Sequence, residues 1–119
     1  MNDAEIIDPR ALERLLDLGG PAFLKQMIGL FLDLAKTKLE AARVAETAGD
    51  LPGIAKAVHP LRSSGGNVGS RAILDLATRI EELARQQQGE QIPALLRELE
   101  AAFARVKPRL ERERDSLST

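Results

Sequence analysis

The chain's single histidine lies in the stretch His59-Pro60-Leu61-Arg62-Ser63-Ser64-Gly65-Gly66-Asn67-Val68-Gly69-Ser70. This stretch continues a helical pattern of apolar residues. Successive residues of a helix are rotated by about 100°. One apolar stripe then holds Ile54, Val58, Leu61, Gly65 and Val68. His59 points well away from this stripe. The pattern therefore predicts a helix that packs into a core and carries an outward-facing imidazole.

Small residues and positive charge surround this imidazole. Its neighbours one turn away on the helix are Ala55, Lys56, Arg62, Ser63 and Gly66. The pKa of a free imidazole is about 6.5, so a ring nitrogen is nucleophilic at neutral pH without a dedicated base. Arg62 and Lys56 offset the negative charge of an arriving phosphoryl group. The sequence therefore predicts a site that holds a phosphoryl group on His59.

The pattern His59-x-Leu61-Arg62-x-Ser64-x-x-Asn67-x-Gly69 resembles the signature of histidine-containing phosphotransfer (HPt) domains, which usually reads H-x-L-K-G-S-S-x-x-L-G-A. The length of the chain also fits one such domain over 1–119. The resemblance implies an all-α fold, an up-down-up-down four-helix bundle. It also implies that His59 is a phosphoacceptor, with Arg62, Ser63 and Gly66 beside it.

The function implied by the resemblance is that of a phosphorelay intermediate. His59 would accept a phosphoryl group from the aspartate of one receiver domain and pass it to another receiver. The implied partners are the receiver domain of a response regulator and a hybrid histidine kinase. The chain has no ATP-binding or kinase motif of its own, so it is expected not to be an enzyme.

Three residues depart from the family pattern beside the histidine. Arg62 stands where lysine is usual, and Ser63 stands where glycine is usual. Pro60 lacks the N–H that would bond to the carbonyl of Lys56, and it disfavours helical geometry at His59. We therefore predict a kink beside the phosphorylation site.

Helical periodicity extends over the rest of the chain, and strand patterns are nearly absent. The N-caps are predicted at Asp8, Asp50 and Ser70. Pro108 is expected to kink or end the last helix before a polar tail. The predicted elements are a short N-terminal capping helix over about 9–18 and bundle helices over about 21–48, 51–68, 70–88 and 91–116. Short connections between long amphipathic helices favour the up-down-up-down order.

Composition restricts the class of protein. A single domain of 119 residues is large enough to bury a core. The absence of cysteine excludes disulfides and thiolate chemistry, and a single histidine does not suit a metal site, so no cofactor or metal is expected. The 17 basic and 18 acidic residues, with three Phe and neither Tyr nor Trp, argue against nucleic acid as a partner.

Localisation is expected to be cytoplasmic. The first residues lack a basic region followed by an apolar run, so no signal peptide is evident. No apolar stretch is expected to be long enough to cross a bilayer, so no membrane association is predicted. A monomer is expected, although pairing through an exposed helix face stays open.

The predicted docking face for a partner follows from the turn at Gly49-Asp50. If the flanking helices pack antiparallel, His59 and Glu40 lie at about the same height, each some ten residues from the turn. The residues expected to contact a partner are Lys36, Thr37, Glu40, Ala55 and Lys56.

Other classes stay open. The strongest alternative is an HPt-like adaptor that binds a receiver or kinase without phosphotransfer, because Ser63 and Pro60 would obstruct the imidazole. A metabolic enzyme or a purely structural bundle is less well supported. The pair Gly65 and Gly66 indicates either a tolerated weakness in the helix or a close helix crossing.

Overall fold

The computed structural model describes residues 6–117, and every regular element in that range is a helix. The four helices are α1 (Pro9–Thr47), α2 (Leu51–Asn67), α3 (Arg71–Arg85) and α4 (Ile92–Ser116). The predicted all-α class is therefore confirmed. The largest difference in bounds is at the end of α3, which stops at Arg85 instead of near residue 88.

Side-chain caps begin three of these helices at the predicted residues. The Asp8 carboxylate accepts a hydrogen bond from the backbone N–H of Arg10, at 3.0 Å. The Asp50 carboxylate accepts a hydrogen bond from the backbone N–H of Gly53, also at 3.0 Å. The Ser70 hydroxyl accepts from Ile73 N at 3.2 Å. Each cap satisfies a backbone N–H that has no partner within its own helix, which fixes where the helix starts.

A kink at Gly20 divides α1. Gly20 has φ 85° and ψ −178°, outside the helical region, in a conformation that glycine adopts without steric cost. α1 therefore consists of two helical segments that meet at Gly20, which lies between the ranges predicted as separate helices over 9–18 and 21–48. Leu12 and Leu15, before the kink, are buried in the common core.

The prolines inside α2 and α4 do not end these helices. No residue of α2 leaves the helical region at Pro60, so the helix is not broken beside His59, and the expected kink there stays a prediction. The helix α4 does not end at Pro108, since it continues to Ser116. The carbonyls that lose a partner belong to Lys56 and Ala104, which are both exposed. Water can therefore satisfy these carbonyls, while the opposite faces of both helices remain packed.

The helices pack as a ring around one core. Each helix contacts the next along the chain, and α4 contacts α1. The approach of α2 to α3 is especially close, because a Cβ on Gly65 would lie 2.6 Å from Cγ2 of Ile73. A Cβ on Gly66 would lie 3.8 Å from its nearest neighbour, an ordinary contact. Gly65 therefore marks a close helix crossing, whereas Gly66 does not.

One helix corrects the expectation that no apolar stretch is long enough to cross a bilayer. α1 contains an 18-residue stretch of mean hydropathy 1.3, so it meets that criterion by length and composition. A core helix can meet the same criterion. α1 buries Leu24, Ile28 and Phe31 against the other helices, while Leu18 and Leu30 are exposed. Its hydropathy alone therefore does not assign α1 to a membrane.

Candidate phosphotransfer site

His59 lies in the middle of α2 with its side chain 60% exposed. The His59 side chain therefore points outward, as the helical stripe predicted. On one side the ring meets a single acidic residue, because Nδ1 of His59 lies 2.8 Å from Oε2 of Glu81 on α3. The imidazole is thus fixed at Nδ1 and open elsewhere.

Glu81 is buried because it lies on the core-facing stripe of α3. Its neighbours on that stripe are Ile73, Ala77, Ile80 and Ala84. Only 5% of the Glu81 side chain is exposed. A buried carboxylate is costly unless hydrogen bonds and opposite charges compensate it. The close approach of α2 to α3 brings the compensating groups within reach.

Two arginines complete the cluster around Glu81. Nη1 of Arg62, one turn after His59, donates to Oε1 at 2.8 Å. Nε of Arg85, one turn after Glu81, donates to Oε2 at 2.9 Å. We call the four residues His59, Arg62, Glu81 and Arg85 the Glu81 cluster. With a neutral imidazole it carries two positive charges and one negative charge, which leaves an excess of positive charge beside the ring.

The cluster keeps Glu81 ionised. Burial raises the pKa of this carboxyl, but hydrogen bonds from Arg62, Arg85 and His59 outweigh burial and lower the pKa to about 2. An ionised carboxylate only accepts hydrogen bonds, so Nδ1 of His59 must carry the proton. In the neutral ring, Nε2 then has the free electron pair. The geometry therefore makes Nε2 the nucleophilic atom of His59.

The other residues predicted around the histidine lie outside the cluster. Ser63 is exposed, and no side-chain hydrogen bond found among residues 6–117 involves its hydroxyl. Gly66 is partly buried near Leu74. Lys56 is exposed, one turn before His59. Ala55 is 2% exposed, so it offers a partner little surface.

The residues predicted on α1 are separate from the cluster. Lys36, Thr37 and Glu40 are all exposed, as a docking face requires. Among the described hydrogen bonds and ion pairs, none joins them to His59, Arg62 or Glu81. Their role as a partner surface stays a prediction.

Glu81 and Arg85 are the site residues that sequence reasoning missed. Their signal was an acidic residue within the apolar stripe of α3, followed four residues later by an arginine. A buried carboxylate at such a position needs a positively charged neighbour. Arg85 supplies one on the same helix, and the helix that carries His59 supplies another. In residues 6–117, no group of three or more His, Cys, Asp or Glu side chains is arranged to hold a metal.

Comparison with known proteins identifies the family and the fold. The family model described as Hpt domain matches residues 26–108. The fold is similar to that of the crystal structure of histidine-containing phosphotransfer protein B from Pseudomonas aeruginosa PAO1. The two have a TM-score of 0.90 and 24% sequence identity, over 96% of this chain and 98% of that chain. No curated protein sequence matches significantly.

Proteins with this domain are phosphotransfer carriers of two-component signalling, not kinases, and they interact with receiver domains and histidine kinases. The family match covers more than half of the chain. The chain therefore belongs to the Hpt domain family.

Proposed function

We propose that the protein is a phosphorelay intermediate in which Nε2 of His59 accepts a phosphoryl group from a receiver aspartate and passes it to a second receiver. The observation that carries the proposal is the 2.8 Å contact between Nδ1 of the exposed His59 and the buried Glu81 carboxylate. This contact holds the proton on Nδ1 and leaves Nε2 as the nucleophile, accessible to a partner.

The transfer step needs only these groups. The phosphorus–oxygen bond of the aspartyl phosphate breaks, and its electron pair returns to the aspartate carboxylate. Nε2 supplies the electron pair for the new phosphorus–nitrogen bond. The ring becomes positively charged, with its proton still on Nδ1, and the Glu81 carboxylate stabilises that charge. The reverse step transfers the phosphoryl group to the next receiver and restores the neutral imidazole.

The arginines of the Glu81 cluster have two roles in this proposal. They keep the buried carboxylate ionised, which fixes the imidazole in one tautomer and one orientation. They also supply positive charge next to the place where the phosphoryl group arrives. Arg62 and Arg85 are 42% and 62% exposed, so their guanidinium groups are accessible from solvent.

The finer features of the protein belong to the same proposal. We infer that 1–119 is one domain, that the four helices run up-down-up-down, and that the segment before Gly20 caps the bundle. The protein acts as a cytoplasmic monomer. A receiver or a hybrid histidine kinase docks over the exposed residues Lys36, Thr37, Glu40 and Lys56.

The test is phosphoryl transfer from receivers. The protein is incubated with a panel of phosphorylated receiver domains from its own organism, and acid-labile phosphate on the intact protein is measured. We expect labelling of the native chain and none of His59→Gln, because this is the only histidine. Glu81→Gln should be labelled about 10- to 100-fold more slowly, since the ring loses its orienting anion.

Two outcomes would contradict the proposal. Label that persists in His59→Gln would place the phosphate on another residue. A receiver that binds both proteins equally without any labelling would instead support the adaptor function.

A further inference from the structure

A cleft of about 590 Å³ lies beside the Glu81 cluster, between the start of α2 and the end of α3. Its accessible apolar surface comes mainly from Leu51 and Pro52, since Ala55 and Ala84 also line it but are nearly buried. Its two cationic residues are Lys56 and Arg85. Below, we call it the α2–α3 cleft. It combines an apolar surface with positive charge at its exposed edge.

The charge of the α2–α3 cleft is only partly balanced by the protein itself. Lys56 is exposed, and none of the ion pairs found among residues 6–117 includes it. Arg85 pairs with Glu81, which also binds Arg62, so the two arginines share one negative charge. No acidic residue lines the cleft. Its surface is therefore complementary to an acidic group, not to a basic one.

The position of the cleft connects it to phosphotransfer. Arg85 lines the cleft and binds the same carboxylate oxygen of Glu81 that contacts His59. Lys56 lies one helical turn from His59 on the same helix. A partner whose aspartyl phosphate reaches Nε2 of His59 must therefore place neighbouring parts of its own surface next to this cleft.

The geometry points to the α2–α3 cleft as a specificity site for receivers, which takes up a receiver loop bearing a carboxylate beside an apolar side chain. This inference rests on the proposed function, and it extends the predicted docking face from Ala55 and Lys56 to Leu51, Pro52 and Arg85. The apolar walls bury the side chain, and Lys56 and Arg85 pair with the carboxylate. Receivers that lack such a loop leave Lys56 without an acidic partner and leave Arg85 paired with Glu81 alone, so they dock less well.

A covalent steric block tests the occupancy of the cleft directly. Because the chain has no cysteine, Pro52→Cys introduces a unique thiol at the exposed wall of the cleft. Coupling a bulky maleimide to this thiol fills the cleft, and Lys107→Cys, on α4, carries the same group as the matched control. The donors are the receiver found by the relay assay and phosphoramidate, a small molecule that phosphorylates histidine without docking.

We expect the blocked Pro52→Cys protein to lose at least about tenfold in the rate of labelling by the receiver. Phosphoramidate should label it within about twofold of the uncoupled variant, since His59 itself is untouched. The coupled Lys107→Cys protein should behave normally with both donors. A thermal melt before and after coupling shows that each protein is folded.

A charge reversal tests the electrostatic part. Lys56→Glu should lower kcat/KM for the receiver about tenfold, while Lys107→Glu should leave this constant unchanged. If blocked Pro52→Cys accepts from the receiver at the uncoupled rate, the inference is wrong. If the block slows both donors equally, the group acts on His59 and the cleft is not a docking site. Labelling of the unmodified protein by neither donor would overturn the proposed function, and this inference with it.

Discussion

Two sides of the bundle each carry a glutamate bound by arginine, but the two pairs differ in burial and in charge balance. Glu81, between α2 and α3, is 5% exposed and is bound by two arginines and His59. Glu100, on α4, is 31% exposed and is bound by Arg43 of α1, which is itself 42% exposed. Burial and surplus positive charge, not residue type, therefore distinguish the candidate site at Glu81 from the pair at Glu100.

Packing explains why the two sides differ. Where α1 meets α4, the rings of Phe31 and Phe103 pack edge to face with centroids 6.2 Å apart. Where α2 meets α3, Gly65 lets the helices approach until no Cβ would fit. Close backbones allow side chains on both helices to meet one buried carboxylate. The side of the bundle with small residues is therefore the side that holds the Glu81 cluster.

The largest difference expected between the two pairs is in stability at neutral pH. A carboxyl whose pKa falls from 4.5 to about 2 on folding contributes about 3 kcal/mol at pH 7. We expect Glu81→Gln to lower the free energy of unfolding by up to about 3 kcal/mol and Glu100→Gln by less than about 1 kcal/mol. Urea denaturation of both variants measures this. Equal losses of stability in the two variants would mean that burial does not distinguish Glu81 from Glu100.

The next largest effect is the pH dependence of the stability that Glu81 contributes. The pKa of Glu81 is lowered in the folded state, so its contribution is complete above pH 4.5 and is lost as the pH falls toward 2. The stability gap between the native protein and Glu81→Gln should shrink by about 2 kcal/mol between pH 7 and pH 3. Denaturation curves at several pH values show this. A gap that does not change with pH would mean that Glu81 has no lowered pKa.

The smallest effect separates the two adjacent glycines. Gly65→Ala places a methyl group 2.6 Å from Ile73, and we expect a net loss of about 1–2 kcal/mol after the gain in helix propensity. Gly66→Ala meets only an ordinary contact and should gain up to about 1 kcal/mol. Thermal and urea unfolding of the two variants compare them. A stabilising Gly65→Ala would show that α2 and α3 can separate without cost.

Local chemistry made most of the fold predictable. Asp8, Asp50 and Ser70 mark helix starts through their own hydrogen bonds, and the apolar stripes define which faces are buried. The effects of Pro60 and Pro108 were not predictable in this way. They depend on whether the carbonyl four residues earlier faces solvent and on how firmly the rest of the helix is packed, and both are tertiary properties.

The site was predictable only on the helix that carries His59. The exposure of His59 and the proximity of Arg62 follow from one helical repeat. Glu81 is 22 positions away, and only the packing of α3 on α2 brings its carboxylate to Nδ1. Helical periodicity relates residues on the same helix, so it does not predict a contact between two helices. The acidic residue in the apolar stripe of α3 was the one available indication.

The exposure of His59 also determines how such a carrier works over time. Because 60% of the side chain is already open in the free protein, no opening motion has to precede each transfer. By the same geometry, a phosphohistidine here stays in contact with water until a receiver covers it. Two competing rates then determine the lifetime of the phosphorylated state. One is hydrolysis of the phosphorus–nitrogen bond, and the other is the arrival of the next receiver. In the proposed relay, the concentration of free receiver would therefore set the rate of transfer more than any motion of the bundle.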